Sequence, residues 1–223
     1  MRKDDYFTNE NREKKISEWK EILANYYSSK KRFEFRLERT ALMIIDMQEY
    51  FLNPISHAYL PAARTIIEPI KKLQKAFMDN GKAIFFTKYG LHSDDEDMSI
   101  MTRWWNGSLN VEDPMYAIVH DFDTNEAWTF NKPTYDTFVR TNFSYILSKL
   151  KYTSLVITGV TTHLCCESTA RSAFNNDIEV YLPIDCMATY TEELHLNSLK
   201  AASHGFGIPT TSYELLEIIK NEE

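Results

Sequence analysis

A doubly wound α/β domain, with a mostly parallel sheet of about six strands in three α/β/α layers and an extra N-terminal helix, is the fold class this sequence predicts. Three observations carry it. Runs such as Ala41-Leu42-Met43-Ile44-Ile45 and Ser154-Leu155-Val156-Ile157-Thr158 are apolar throughout instead of alternating, as strands covered on both faces must be. Between such runs lie amphipathic stretches long enough to cross from one parallel strand to the next. The 223 residues suit one domain with a full core.

In chain order, residues 1–35 form a leader. Residues 10–31 within it read as a helix, because Ile16, Trp19, Ile22, Leu23 and Tyr26 recur at three- and four-residue steps; that face packs either on the domain or on a second subunit. Residues 36–223 form the domain. Its first strand is 41–45, followed by a helix over 61–80. The second strand is 83–87 and the third 127–130, with a helix over 137–150. Strand 154–158 leads to a helix over 165–175, and strand 179–184 to a helix over 192–204. A short run near 210–212 leads into a last helix over 213–220. The least regular stretch is 88–126, where Trp104-Trp105-Asn106-Gly107 suggests a loop partly covering a site.

Composition narrows the function classes. A hydrophobic fraction of 43% is that of a folded soluble protein, and no apolar run approaches the roughly 20 residues that span a bilayer, so no membrane partner is expected. Met1-Arg2-Lys3-Asp4-Asp5 lacks the apolar core of a secretory signal, and Cys165, Cys166 and Cys186 cannot all pair, which together point to the cytoplasm. Net charge is −7, with 11 Lys/Arg against 8 Asp/Glu in residues 1–39 and 14 against 24 in the remainder, so the acidic body argues against nucleic acid as a partner. Neither G-x-G-x-x-G nor a P-loop sequence occurs, so nucleotide binding has no support and no cofactor is expected.

The chemistry lies at strand ends. In Ile157-Thr158-Gly159-Val160-Thr161-Thr162-His163-Leu164-Cys165-Cys166 a buried strand runs through a Gly turn towards a helix whose first residue is Cys165, where unpaired backbone N–H groups favour a thiolate and can hold an oxyanion. Asp46 closes the first strand, and Lys132, before Pro133, follows Ala127-Trp128-Thr129-Phe130. Each alone has an ordinary reading: a buried thiol, a helix cap, a solvated lysine. Together they bring a thiol, a carboxylate and an ammonium to one edge of a parallel sheet, where such folds bind ligands.

These segments resemble the isochorismatase-like cysteine hydrolase superfamily over roughly residues 36–216. The matching motifs are Asp46-Met47-Gln48 with Phe51, Lys132-Pro133-Thr134-Tyr135-Asp136-Thr137-Phe138, and Gly159-Val160-Thr161-Thr162-His163-Leu164-Cys165 with Thr169-Ala170-Arg171. That superfamily includes nicotinamidases, N-carbamoylsarcosine and ureidoacrylate amidohydrolases, and isochorismatases. The resemblance implies Cys165 as nucleophile, Asp46 as base and then acid, Lys132 as the cation beside them, and the backbone N–H groups of Thr161 and Cys165 as oxyanion hole, with a cis peptide at Val160–Thr161. A thiol so placed is expected to ionise more readily than a free one. The same register makes Cys166, turned by about 100° on a helix, a core residue; Cys186 reads as packing.

Two departures shape the expectation. The metal-binding Asp-x-His of nicotinamidases has no match at that spacing, since His57 and His92 stand in unrelated patterns, so no metal is expected. Isochorismatases often carry Gly where this chain has Cys165, and Tyr where it has Thr161, while Trp105-Asn106-Gly107, His163 and the leader helix lean towards that branch. The sequence therefore reads as a cofactor-free cysteine hydrolase cleaving a C–N bond of a small amide, ureide or carbamoyl compound through a thioester. Its pocket is expected to be lined by Tyr50, Phe51, Trp105, Tyr135, Phe138 and Thr161, whose aromatic walls favour a planar substrate. The alternatives are vinyl-ether hydrolysis with Asp46 as acid, and a non-catalytic binding or scaffold module. Relatives imply a homodimer or homotetramer.

Overall fold

In the computed structural model of the chain, residues 2–27, 33–96 and 99–222 are described. The leader helix α1 spans Arg12–Ala24, shorter than the periodicity suggests, because the Asn25 side-chain amide takes the carbonyls of Glu21 and Ile22 and closes it; residues 28–31 of the expected helix lie outside the described residues. Then come β1 (Thr40–Ile45), α2 (Glu49–Leu52), a 3₁₀ turn (Pro61–Arg64), α3 (Ile67–Asp79), β2 (Ile84–Tyr89), α4 (Ser93–Glu96) and α5 (Ile100–Trp105). The second half holds β3 (Trp128–Lys132), α6 (Phe143–Lys149), β4 (Ser154–Val160), a π-helical turn (Thr162–Cys166), α7 (Glu167–Asn175), β5 (Glu179–Pro183), β6 (Met187–Ala188), α8 (Glu192–Gly205), β7 (Ile208–Thr210) and α9 (Ser212–Glu222).

Among the described residues the sheet has seven strands, in the order β3-β2-β1-β4-β5-β7, with β6 beside the end of β4; its strand pairs are parallel. The strand beyond the expected six is β6, two residues too short to leave a pattern. Helix α6 starts only at Phe143, after Arg140 takes a left-handed backbone conformation (φ +60°) that no α-helix continues through. The chain crosses from β1 to β2 in one direction and from β4 to β5 in the other. Since parallel crossovers are right-handed, α3 and α7 cover opposite faces. Accordingly α9 packs on α3, and α8 on α7.

Strand order reverses between β1 and β4, and at that switch point the strand ends separate and leave a crevice. The registers bring the ends level: Ile45 pairs with both Thr87 and Gly159, and Tyr89 pairs with Lys132. Gly159 has φ +104°, and a Cβ there would stand 2.1 Å from the Ile45 carbonyl oxygen. Only glycine allows β4 to run this close to β1 just before the chain turns.

The leader is part of the same core. Tyr6, Phe7, Trp19 and Leu23 are buried with the sheet's residues. The Trp19 indole N–H donates to Glu192 (2.8 Å), Lys15 pairs with the same carboxylate (2.8 Å), and Arg12 pairs with buried Asp185 (3.2 Å). The Trp19 ring lies 4.7 Å from that of His195, which in turn shares a 2.9 Å hydrogen bond with Thr162 in the π turn. The leader thus packs on its own domain.

Candidate active site

Asp46, the residue after β1, has φ +51°, a left-handed conformation that Asp tolerates better than most residues. Its N–H donates to the Thr87 carbonyl (3.2 Å), and its Oδ1 accepts the Thr87 hydroxyl (2.7 Å), so β2 fixes the carboxylate. Its Oδ2 lies 2.6 Å from Lys132 Nζ, and both side chains are fully buried. Lys132 is the last residue of β3; its ammonium also donates to the Thr134 carbonyl (3.1 Å) and to Cys165 Sγ (3.3 Å). An ammonium has three donors, and here each has a partner.

The structure brings Asp46, Lys132 and Cys165 together, but the thiol is not the first residue of an open helix. It is the fourth residue of the π turn, closed by the Cys166 N–H on the Thr161 carbonyl (3.1 Å), and α7 follows at Glu167. The Val160–Thr161 peptide is cis. The Cys166 thiol lies 3.9 Å from the Thr158 carbonyl and is completely buried; Cys186 is buried beside Asp185. Thr169, from α7, holds the lysine loop by accepting the Thr137 N–H (3.1 Å).

Placement in a closed turn reverses the expected electrostatics of the thiol. Burial pushes Cys165 up to about 12; the Lys132 ammonium opposes this, while the Asp46 carboxylate adds to it. Burial would lower the Lys132 pKa, but the carboxylate and the thiol outweigh it, and the net direction is upward. Burial thus disfavours ionisation of the thiol, which lies beside a buried ion pair, where the sequence suggested a readily formed thiolate. The positive charge is spent on Asp46.

Cys165, 4% exposed, is the member of the triad that meets a cavity of about 210 Å³; Asp46 and Lys132 lie behind it with no exposed surface. Of the expected lining residues, Tyr50, Phe51, Trp105, Tyr135 and Thr161 are in place, and the Trp105 indole N–H donates to the Tyr135 hydroxyl (2.7 Å) across the mouth. Phe138 does not line the cavity. It packs edge-on against Phe143, 5.0 Å between ring centres, at the rim of the core.

Among the lining residues that sequence reasoning missed are Lys3, His57, Tyr89 and Tyr190. Tyr89 was accessible in principle, since it ends β2 and pairs with Lys132; Gln48 pins it by accepting its N–H (2.8 Å) and donating to its carbonyl (3.1 Å). Lys3 and Tyr190 carry no local signal. His57 shares a 3.0 Å hydrogen bond with the Tyr50 hydroxyl, whereas His92 is exposed. Among the described residues no group of three His, Cys, Asp or Glu side chains stands ready to hold a metal.

Comparison with known proteins gives the family and the fold. Residues 40–214 match the isochorismatase domain. Nicotinamidase 3 of Arabidopsis thaliana is 30% identical over 170 residues, which cover 74% of this chain and 81% of that protein. Enterobactin synthase component B of Escherichia coli is 28% identical over 82% of this chain, which spans only 64% of that protein's length. The crystal structure of a cysteine hydrolase from Pseudomonas syringae pv. phaseolicola 1448A superposes with a TM-score of 0.82 at 22% identity, covering 86% of this chain and 97% of the other, and so shares the fold. A family match over residues 40–214, most of the chain, shows that this chain belongs to the isochorismatase family of hydrolases.

Proposed function

We propose that the protein is a cysteine amidohydrolase that cleaves a C–N bond of a small, planar amide, ureide or carbamoyl compound, with Cys165 as nucleophile, Asp46 as base and acid, and Lys132 as the fixed cation. The observation that carries this reading is that Cys165 meets the cavity while the Asp46–Lys132 pair (2.6 Å) stands fully buried behind it. Substrate reaches the thiol, and the pair reaches substrate only past the thiol. Relatives and structural neighbours of the family include a nicotinamidase and an N-carbamoylsarcosine amidase.

In the proposed cycle Sγ attacks the carbonyl carbon as its proton passes to Asp46, so the thiolate forms only as the S–C bond forms. The oxyanion is received by the backbone N–H groups of Thr161 and Cys165, worth about 3–4 kcal/mol for one donor in comparable sites. Collapse of the adduct breaks the C–N bond, and Asp46 returns the proton to the leaving nitrogen. Water then attacks the thioester, giving its proton to Asp46, which passes it back to the departing sulfur; the acid product and the resting thiol result. Three buried, unpaired cysteines suit a reducing compartment, and we place the protein in the cytoplasm.

The test is a screen of small amides and ureides for ammonia release, followed by mass spectrometry of acid-quenched enzyme. An acyl adduct on the peptide carrying Cys165 supports the reading. The 26% identity to an isochorismatase of Bacillus subtilis, over 82% of this chain, favours vinyl-ether hydrolysis as second reading. Turnover of an enol ether by a Cys165→Ser variant, with no adduct in the wild type, would replace the first reading by the second.

A further inference from the structure

We infer that the N-terminal segment completes the substrate pocket, and that Lys3 selects substrates bearing a carboxylate; this rests on the amidohydrolase reading and assigns its substrate class. Lys3 lies 37 residues before the matched family domain begins at residue 40, yet it lines the cavity that Cys165 meets. The segment is held there from both sides. Lys3 Nζ donates to the His57 carbonyl on the α2 side, and the Asp4 N–H donates to the Tyr190 carbonyl (2.8 Å) on the β6 side. Tyr6 extends the anchoring by accepting the Thr189 N–H (3.1 Å), and Thr65 donates to the Phe7 carbonyl (2.7 Å).

Among the described residues, the cavity lining includes Lys3 and no Asp, Glu or Arg. The buried cation behind the thiol is matched by Asp46, so the reacting end of the cavity carries little net charge. The ammonium of Lys3 therefore sets the sign of the field in the cavity, 5.8 Å from the Tyr190 ring centre and among aromatic walls that do not solvate an anion or a cation well. Of its three donors one is used by His57, leaving two for a ligand. Partial burial lowers its pKa, as expected for a cation without a carboxylate beside it. A lone ammonium in a cavity of about 210 Å³ suits a small monoanionic carboxylate on a planar substrate; a phosphate is bulkier and is ordinarily held by several donors.

Binding is measured in the Cys165→Ser background, where turnover does not interfere, by quenching of tryptophan fluorescence. The probes are matched pairs that differ by a carboxylate: benzamide with 4-carbamoylbenzoate, and methylurea with N-carbamoylglycine. At least one carboxylate member is expected to bind about tenfold more tightly than its neutral partner, and less tightly at high salt. Lys3→Met is expected to remove that preference, and Lys3→Arg is expected to keep it. Equal binding within every pair, binding of no probe, or an equal loss for both members in Lys3→Met at unchanged Tm would overturn the inference. Ammonia release by the wild type separates the two claims. Turnover without preference leaves the hydrolase and removes the role of Lys3, and preference without turnover does the reverse.

Discussion

The three side chains proposed to react, Asp46, Lys132 and Cys165, are coupled so closely that each substitution has its own signature. Cys165→Ser is expected to abolish ammonia release while costing about 1–2 kcal/mol of stability, as a small buried change does. Cys166→Ala, whose thiol faces the Thr158 carbonyl, should keep turnover. Iodoacetamide labelling read by peptide mapping, alongside the activity assay, decides between them. Because burial and Asp46 push the Cys165 thiol up to about 12, its alkylation rate should go on rising with pH well past the range of a free thiol. Lys132→Met removes the cation that lowers that pKa and should slow alkylation at any given pH; Asp46→Asn removes the anion that raises it and should speed alkylation. Asp46→Asn should lose about 10²–10⁴-fold in kcat, as removal of a general acid and base does. If the two variants shift the alkylation profile in the same direction, the charge relations around the thiol are other than described. Each single variant also strands a buried charge, at about 3–5 kcal/mol, so the double variant should unfold at a higher temperature than Asp46→Asn.

At the scale of elements, the placement of Cys165 depends on a close strand contact. Gly159→Ala would drive a methyl group into the Ile45 backbone and strain a left-handed position at once. The expected result is a loss above roughly 2 kcal/mol and a displaced π turn, with activity falling further than stability alone accounts for. Urea unfolding beside kcat at full folding checks this; a stable and active variant would show that β1 and β4 tolerate separation. The leader acts on the same turn through Trp19, His195 and Thr162. Trp19→Ala should cost about 3–5 kcal/mol, the range for emptying an aromatic core position. Amide exchange in α1 and in the π turn should rise together if the contact chain is as described.

For the whole molecule, stability should be acid-sensitive through His195. Burial lowers its pKa from 6.5 to about 3, so folding holds the imidazole neutral. The sign follows: a depressed folded pKa contributes stability that is complete above 6.5 and is lost as pH falls towards about 3. At pH 5 the loss is roughly 2 kcal/mol, from about 1.4 kcal/mol per pH unit below the unfolded value. Denaturant unfolding at pH 7.5 and pH 5 should show this difference in the wild type and a smaller one in His195→Gln. Equal slopes in the two proteins would mean that His195 is protonated without unfolding.

What the sequence determined by itself is what short-range patterns encode. Uninterrupted apolar runs specified buried parallel strands, amphipathic spacing specified the crossovers, and the residues at or shortly after strand ends, Asp46, Lys132 and Cys165, were readable because a doubly wound sheet must deliver strand ends to one edge. Local pattern failed where the determining contact is distant. The π turn, the two-residue β6 and the late start of α6 at Phe143 each reflect backbone geometry that side-chain periodicity does not record. Phe138 was drawn to the pocket by its motif and to Phe143 by packing. Tertiary structure alone decided the state of the thiol, since a pKa depends on burial and on which charge the lysine faces. It alone also carried Lys3 from the far end of the leader into the cavity, a placement made by core contacts of Tyr6, Phe7 and Trp19 that no spacing in the sequence expresses.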